Sequence, residues 1–435
     1  MSNDIPVTDL DATAASAQDG AEQLELESIH DFATKLVQPG AKEALQDYVR
    51  WQVDLRAGHV GASSTSFDPN RVPDYAPLSI NLDLTTACNF QCDHCVDLDI
   101  LNTGIRFEHE KLMSSIELMA QRGLKSVIVI GGGEPTLYPK FAEVIRFMKA
   151  LKLQVAIVSN GTGNKKIAEV ADCMDGQDWV RLSLDSGTDP TFQAMHNPRK
   201  NFTLEDICTV VPEIKAANPD LTVGFSYIVT WQGAFINDTN IVENLHEIAR
   251  AAKLARDNEF SYISFKPFLT RDELNNAEVI DIKVQKNLTD TINRIQAQID
   301  EAVLLESDTF KVHRSTGLKA MLQGKTQSLG KQPQQCHMQF FRQVLSPLGL
   351  FNCPVYRNQD HGRLGDKNAA ADELAYEATR GVTAKLVKTF NATSNCEKVT
   401  CLYNDVNWWI ERLIDNPAEL DALKTDTSST PDYFL

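Results

Sequence analysis

The sequence predicts an α/β fold in which a partial (β/α)6, TIM-like barrel carries an N-terminal helical extension and a small C-terminal Cys-rich domain. Three observations favour this architecture. Short apolar runs alternate with longer amphipathic ones through the middle of the 435-residue chain, a helical pattern precedes them, and four of the nine cysteines follow residue 335. Near-continuous apolar strands that alternate with helices are typical of a parallel sheet covered by helices.

The barrel prediction depends on six strand–helix units. The apolar runs that predict strands are 78–84, 126–130, 154–159, 180–184, 222–229 and 262–265. The amphipathic segments that predict the helices between them are 107–121, 141–151, 164–171, 204–216 and 241–255. Six units are too few for a closed eight-unit barrel, so an open, partial barrel is expected.

The chain is predicted to divide into five parts. Residues 1–31 hold eight acidic residues and no Lys or Arg, which predicts an acidic disordered tail. A helical extension and linker follow at 32–75, and the barrel core occupies 76–270. A helical connector at 271–335, whose main helix is predicted at 281–305, leads to a Cys-rich auxiliary domain at 336–435.

Composition excludes several classes of protein. The formal net charge of −17 argues against nucleic acid as a partner. The sequence shows neither an apolar stretch of membrane-spanning length nor a secretory signal pattern, so no membrane partner is expected. Nine cysteines in such a chain are more typical of metal ligands and buried thiols than of disulfides, which predicts a cytoplasmic location. Cys173 and Cys208 lie alone in helical patterns and are expected to be small buried residues.

The first cysteine group follows the first predicted strand, where Cys88, Cys92 and Cys95 form a C-x3-C-x2-C loop. Ligand sites in parallel βα folds gather at the carboxyl ends of the strands. Electron-transfer clusters normally take four cysteines, and structural zinc sites also take four ligands. Three thiolates therefore predict an iron–sulfur cluster with one iron left open for chemistry, although a zinc or redox site can share this spacing.

The second motif, Gly-Gly-Gly-Glu-Pro at 131–135, follows the second predicted strand. Consecutive glycines allow close approach of the backbone to another group. With the three-Cys loop one strand earlier, this motif resembles the signature of the radical S-adenosylmethionine (radical SAM) enzyme superfamily. The resemblance implies that Cys88, Cys92 and Cys95 hold a [4Fe–4S] cluster that binds S-adenosylmethionine (SAM).

The resemblance also implies which residues contact SAM. Gly132, Gly133 and Glu134 are expected to recognise the amino group of its methionine moiety. Ser159, Ser183 and Asp185, at the ends of the third and fourth predicted strands, are expected near its ribose and carboxylate. Ordinary strand-end turns use the same residue types, so this second set has a purely structural alternative.

The chemistry implied by the family is reductive cleavage of SAM to methionine and a 5′-deoxyadenosyl radical, which abstracts hydrogen from a substrate. A reducing partner such as flavodoxin or ferredoxin is implied. The expected outcome is oxidation, dehydration or epimerisation of a small polar natural-product precursor. A peptide maturase is the alternative, and the short, helical N-terminal region favours the small molecule. An alternative of another class is a non-catalytic iron–sulfur electron carrier or sensor.

The second cysteine group comprises Cys336, Cys353, Cys396 and Cys401. A Pro-x-Gly turn within 346–353 predicts a hairpin that returns Cys353 towards Cys336. The group resembles the one-cluster "twitch" form of the SPASM domain, which implies an auxiliary [4Fe–4S] cluster. Structural zinc and unrelated thiols remain open, and His337 is an alternative ligand.

Substrate-binding residues are much less defined by the sequence. Tyr227, Thr230, Lys266 and His196 lie at or near strand ends on the expected substrate side. Each has an ordinary structural explanation, so no catalytic residue is assigned.

Overall fold

A computed structural model describes residues 31–58, 67–236, 238–271, 278–280, 288–427 and 430–435. The central feature is one ten-stranded sheet. Its strands, in chain order, are β1 (Ser79–Leu82), β2 (Ser126–Val129), β3 (Gln154–Ser159), β4 (Trp179–Ser183), β5 (Thr222–Val229), β6 (Tyr262–Pro267), β7 (Lys311–Arg314), β8 (Arg342–Ser346), β9 (Gly349–Phe351) and β10 (Arg363–Gly365). Two separate two-stranded hairpins pair Phe235–Ile236 with Thr239–Asn240 and Thr270–Arg271 with Glu278–Val279.

The strands lie in the order β7-β6-β5-β4-β3-β2-β1-β8-β9-β10. The eight strands from β7 to β8 are all parallel to their neighbours, and β9 and β10 continue the sheet antiparallel. The α/β prediction and its six strands are confirmed. The sheet is wider than six units, because β7 and β8 add a parallel strand beside β6 and β1.

Helices cover this sheet and extend it at both ends. In chain order they are α1 (Phe32–Leu36), α2 (Lys42–Arg56), α3 (His109–Gln121), α4 (Phe141–Ala150), α5 (Asn164–Ala171), α6 (Asp189–His196), α7 (Leu204–Cys208), α8 (Val211–Ala217), α9 (Ile248–Asp257), α10 (Leu288–Val303), α11 (Thr316–Leu322), α12 (Met338–Phe341), α13 (Glu373–Thr389), α14 (Ala392–Asn395), α15 (Asn404–Asp415) and α16 (Pro417–Ala422). Among the residues described, no helix combines the length and apolar character that crossing a membrane would require.

Local sequence explains most helix boundaries. α4 buries Phe141, Val144, Ile145 and Met148, whose spacing places them on one helical face. The single helix predicted at 204–216 is instead two helices. The first of them starts at a capping box between Thr203 and Asp206, and α8 carries Pro212 in its first turn.

Some predictions fall partly outside the described residues. These are the acidic tail, except for residue 31, part of the linker at 59–66, and the first residues, 281–287, of the connector helix. The rest of that helix is present as α10. The segment predicted as a helix at 241–255 forms α9 only from residue 248, after a short 3-10 turn at Leu245–Glu247.

The two largest apolar clusters of the described residues join the parts of the molecule. The larger one lies around the sheet and its covering helices. The second joins the N-terminal helices to the Cys-rich region, with Tyr48 of α2 stacked on Phe340 of α12 at a ring-centroid distance of 4.6 Å. Together with the parallel pairing of β1 and β8, this cluster links the two ends of the chain to the barrel.

The segment 430–435 crosses the amino ends of β2, β3 and β4. Ser126 Oγ donates a hydrogen bond to the Tyr433 carbonyl at 2.7 Å, and the Phe434 ring packs against Trp179 with centroids 5.4 Å apart. Phe434 also contacts the inward-facing Ala156 and Val158. An apolar side chain thus fills the end of the barrel opposite the three-Cys loop.

Candidate functional site

The three-Cys loop begins directly after β1, and its three cysteines lie in one wall of the barrel cavity. Burial raises the pKa of the Cys92 thiol well above its usual range, and the nearby Cys95 and Cys88 add to this effect. Burial also raises the pKa of Cys95 to about 12. Thiols in this environment stay protonated unless a bound cation, such as a metal ion, compensates their charge.

Sulfur spacing bears on which metal group fits. Among the described residues, one group of His, Cys, Asp or Glu side chains has three potential metal-ligand atoms that all lie within 4.8 Å of one another. That group is His94, Asp185 and His196, and it contains no cysteine. At least one sulfur–sulfur distance in the three-Cys group therefore exceeds 4.8 Å. Tetrahedral zinc with Zn–S bonds of about 2.3 Å needs sulfurs roughly 3.8 Å apart. The wider spacing fits the larger [4Fe–4S] cluster better.

The glycine loop after β2 packs directly on the three-Cys loop. The Glu134 amide donates a hydrogen bond to the Ala87 carbonyl at 2.8 Å. A Cβ at Gly133 would lie 2.2 Å from that same oxygen, and Gly132 has a φ of +75°. Only glycine satisfies both demands, because it has no Cβ and adopts positive φ readily. The close approach predicted for these glycines includes one to the chain's own Cys loop.

Glu134 is buried and fully hydrogen-bonded within the protein. Its carboxylate accepts from Thr136 Oγ1 at 2.6 Å, from Ser159 Oγ at 2.8 Å and from the Asn160 amide at 2.7 Å. Burial raises the pKa of Glu134, and these hydrogen bonds oppose the rise. The side chains of Glu134 and Ser159 therefore fasten the end of β2 to the end of β3.

Asp185 connects the ends of β4 and β5 to the three-Cys loop. Its Oδ1 accepts a hydrogen bond from the Ile228 amide at 2.7 Å, and its Oδ2 lies 3.2 Å from His94 Nε2. Burial alone would raise the pKa of Asp185, but the hydrogen bond and charge interaction with His94 leave it below its usual value. Ser183, two residues earlier, lines the cavity and has no hydrogen-bond partner among the residues described.

The cavity enclosed by these elements has a volume of about 900 Å³. Its wall includes the three cysteines, residues 131–134, and inward-facing side chains of β3 to β6. It is thus large enough for a drug-sized ligand.

The four cysteines of the second group also come together. Burial raises the pKa of Cys336 to about 12, with a further contribution from Cys353. Burial also raises the pKa of Cys401 well above its usual range, and the nearby Cys336, Cys353 and Cys396 add to this effect. The predicted hairpin that returns Cys353 is confirmed as the β8–β9 pair. As at the first site, no three of these sulfur atoms all lie within 4.8 Å of one another.

The surroundings of this second group supply hydrogen bonds to sulfur. The Tyr403 amide donates to Cys401 Sγ at 3.4 Å, and Asn407 Nδ2 donates to Cys336 Sγ at 3.9 Å. Such bonds are typical around iron–sulfur ligands. His337 Nδ1 lies 2.9 Å from the Tyr48 hydroxyl and its Nε2 lies 3.0 Å from Glu411, so both ring nitrogens are engaged away from the sulfurs.

Comparison with known proteins gives a family match for one part of the chain. Residues 82–232 match the family model described as the Radical SAM superfamily. This segment of the chain is therefore similar to members of the radical SAM superfamily. The match contains the three-Cys loop, the glycine loop and the ends of β3, β4 and β5.

Relatives within this superfamily differ in function. The chain is 31% identical over 110 residues to an S-adenosylmethionine-dependent nucleotide dehydratase of Thermoplasmatales archaeon (strain ISO4-H5), covering 25% of this chain and 38% of the relative. It is 31% identical over 117 residues to the mycofactocin maturase MftC of Mycobacterium ulcerans, covering 26% of this chain and 30% of the relative. The chain thus spans less than two fifths of the length of these curated relatives.

The fold is similar to that of a protein solved with bound S-adenosylmethionine. Streptococcus suis SuiB bound to S-adenosylmethionine superposes with a TM-score of 0.50 and 13% identity, covering 74% of this chain and 77% of that chain. At this identity the similarity concerns the fold alone.

Two of the weaker sequence candidates lie inside the packed structure. Tyr227 is fully buried and its hydroxyl donates to the Asn244 carbonyl at 2.7 Å, while Thr230 Oγ1 donates to the Val242 carbonyl at 2.6 Å. The other two, Lys266 and His196, line the cavity described above. His196 Nδ1 lies 3.2 Å from Cys92 Sγ.

Sequence reasoning missed two basic residues. Arg357 forms buried ion pairs with Asp83 at 2.8 Å and Asp97 at 2.5 Å, which join the loop after Cys353 to the three-Cys loop. Arg181 lines the cavity from β4. The alternation of Arg181, Ser183 and Asp185 along one strand indicates a shared face and could have identified Arg181, whereas nothing local identifies the partners of Arg357.

Proposed function

We propose that this chain is a radical SAM enzyme that cleaves SAM reductively and abstracts hydrogen from a small polar substrate, which it oxidises, dehydrates or epimerises. The observation that carries the proposal is that Cys88, Cys92 and Cys95 share one cavity wall with the glycine loop 131–134. Three soft ligands beside an apolar-walled cavity of about 900 Å³ suit a cluster that acts on bound molecules.

In this proposal a [4Fe–4S] cluster bound by the three cysteines supplies the electron that converts SAM to methionine and the 5′-deoxyadenosyl radical. Gly132 and Gly133 present backbone groups to the amino group of SAM. Glu134 and Ser159 act mainly by fixing that loop, since their side chains are hydrogen-bonded to each other at 2.8 Å.

Ser183 and Asp185 complete the proposed SAM site from β4. The Ser183 hydroxyl has no hydrogen-bond partner among the residues described and is available for the ribose or carboxylate of SAM. Asp185 orients His94 within the Cys loop through the contact at 3.2 Å. Phe434 closes the opposite end of the barrel, which limits entry of water to a site where radicals must be protected.

We further propose that Cys336, Cys353, Cys396 and Cys401 hold an auxiliary [4Fe–4S] cluster. Four neighbouring, partly buried thiols with wide sulfur spacing support a closed cluster site over zinc. Its chemistry would be to accept an electron from the substrate radical or to anchor the substrate. A flavodoxin or ferredoxin in the cytoplasm is the proposed reductant.

Similarity to a mycofactocin maturase favours a second candidate, a peptide-modifying enzyme. The same cleavage of SAM and abstraction of hydrogen would then act on a ribosomally made peptide. A precursor-peptide gene beside this one would favour the maturase, and its absence beside genes for small-molecule metabolism would favour the first candidate.

The test is anaerobic incubation of reconstituted protein with dithionite and SAM, followed by chromatographic measurement of 5′-deoxyadenosine. Wild-type protein should form it. Cys92→Ala should reduce formation at least about 100-fold, because loss of even a hydrogen-bonding partner of a metal ligand typically costs about 10–100-fold. Cys173→Ala, which removes a thiol in the turn after α5, is the control and should behave as wild type.

Two results would contradict the proposal. The first is intact SAM in the presence of a redox-active cluster, which would indicate an electron carrier. The second is zinc in place of iron at Cys88, Cys92 and Cys95, which would remove the one-electron chemistry.

A further inference from the structure

Two basic side chains face the cavity from strands β4 and β6. Arg181 lies on β4, and Lys266 lies on β6. In the strand register Ser183 pairs with Ser226, and Ile228 pairs with Lys266. Lys266 is therefore near the carboxyl end of the strands, while Arg181 lies two residues deeper than Ser183, or about 7 Å further from that end.

The carboxylates that line the cavity are all engaged by other groups. Their contacts are Asp97 with Arg357 at 2.5 Å, Glu134 with Ser159 at 2.8 Å, Asp178 with Lys149 at 2.7 Å, Asp185 with His94 at 3.2 Å and Asp432 with Lys35 at 2.9 Å. None of them forms an ion pair with Arg181 or Lys266 within the described part of the chain. The cavity therefore has two cations that its own carboxylates do not pair with.

Arg181 lacks a polar partner altogether among the residues described. Its Nε is buried without a hydrogen bond, and its guanidinium lies 5.3 Å from the centre of the Trp179 ring. An unpaired buried polar or charged group is costly, so such a group usually has a binding partner. A guanidinium held on an aromatic ring is already oriented for a planar oxyanion.

Lys266 makes one contact to a neutral group, in which its Nζ donates to Ser226 Oγ at 3.2 Å. Burial lowers the pKa of Lys266 well below its usual range, Arg181 lowers it further, and Asp185 opposes the change. An anion between the two cations would reverse the effect of Arg181. Within the described residues, Arg181 and Lys266 thus lie near each other without an anion paired to either of them.

A glycine keeps the space beside Arg181 in a defined shape. A Cβ at Gly224 would lie 2.0 Å from the Tyr262 ring, so that ring covers β5 where a side chain would otherwise stand. The Tyr262 hydroxyl has no hydrogen-bond partner in the described residues, and Arg181 lowers the Tyr262 pKa against the larger effect of burial. Tyr262 and Arg181 therefore face the same pocket.

We propose that Arg181 and Lys266 bind an oxyanion of the substrate, a carboxylate or a phosphate, with Arg181 as the principal contact. This inference rests on the proposed function, because it assigns the chemical class of the molecule that the radical attacks. The anion would hold the substrate deep in the barrel and leave its other end towards the three-Cys loop.

Isothermal titration calorimetry of the reconstituted full-length protein with inorganic phosphate and, separately, with acetate tests this inference. Wild type should bind one of the two, and which one it binds distinguishes phosphate from carboxylate. Arg181→Met should weaken that binding about tenfold or more, since charged hydrogen bonds are the strong ones, and Lys266→Met should weaken it less. Arg181→Lys should recover part of the loss, and iron content should show that each variant remains folded.

Lys311→Met is the matched control, because Lys311 is an exposed cation on the neighbouring strand β7. It should bind the anion as wild type does. Equal binding by all variants, or no binding of either anion by wild type, would overturn the inference.

SAM affinity separates this site from the cofactor's own carboxylate. In Arg181→Met the affinity for SAM should stay within about twofold of wild type, since the residue is not expected to touch SAM. A loss of SAM affinity as large as the loss of anion affinity would overturn the inference. Formation of 5′-deoxyadenosine by wild type without substrate tests the proposed SAM cleavage and does not depend on the anion site. The proposed function and the anion-binding inference can therefore fail separately.

Discussion

The two cysteine sites differ in their number of ligands and in what surrounds them. The three cysteines after β1 line a cavity of about 900 Å³, whereas the four in the C-terminal region do not line that cavity. The second site is instead surrounded by Tyr356, Tyr403 and Asn407. The first site has room for a bound molecule beside it, whereas the second is surrounded by packed side chains.

The two sites are also held in place differently. The three-Cys loop is attached to the sheet through Ala87 and Glu134 and to the end of β4 through Asp185. The four-Cys site is assembled from segments far apart in sequence and packs against α2 of the N-terminal extension. We infer that the first site depends on the barrel and that the second depends on the joining of the two chain ends.

The largest effect that separates the sites is expected from Cys353→Ala. If both sites hold four-iron clusters, iron per chain should fall by about half. Formation of 5′-deoxyadenosine without substrate should stay within about threefold of wild type, because Cys88, Cys92 and Cys95 are unchanged. Turnover of the substrate, once it is identified, should be lost. Metal analysis beside the SAM cleavage assay checks this, and loss of zinc with unchanged iron would disprove the auxiliary cluster.

Arg357→Met should have the next largest effect, because Arg357 is an ionic link between the sites. Its removal would leave Asp83 and Asp97 buried without their cation, which typically costs about 3–5 kcal/mol. Hydrogen exchange should accelerate in the three-Cys loop and in residues 131–134, since Asp97 approaches the Gly132 amide at 3.5 Å.

The control for that experiment is Arg50→Met. Arg50 pairs with Asp421 at 3.1 Å on the surface, and such pairs contribute about 1 kcal/mol or less. The double variant Arg357→Met, Asp83→Asn should recover part of the protection. Unchanged exchange in the three-Cys loop of Arg357→Met would mean that the two sites are mechanically independent.

Local pattern was sufficient for much of the fold. The strands β1 to β6 lie in short, largely apolar runs, and α4 and α5 have clear helical spacing, so their positions follow from local pattern. The two cysteine groups are visible because ligand spacing within each loop is local.

Long-range partners were not predictable in the same way. β8 pairs with β1 across more than 250 residues, and the ion pairs of Arg357 span a similar separation. Likewise, nothing in the sequence around Phe434 indicates that its ring fills one end of the barrel. Such contacts are properties of the folded surface, and a single sequence carries no pattern that reports them.

The smallest effect is expected from Glu411→Gln, which tests whether the N-terminal extension stabilises the four-Cys region. Burial would raise the pKa of Glu411, but its hydrogen bonds with His337 and Arg56 lower it to about 2. A lowered carboxyl pKa stabilises the folded state above the unfolded pKa near 4.5, and that gain is lost as pH falls from 4.5 towards 2. The variant should lose about 1–2 kcal/mol at pH 7. The exposed Glu419→Gln should lose less than about 1 kcal/mol. Denaturant unfolding at pH 7.5, 5.5 and 3.5 checks this, with SAM affinity unchanged throughout. A difference that grows as pH falls from 7.5 to 5.5 would instead show that the stabilisation depends on protonation of His337, whose pKa burial lowers below its usual value.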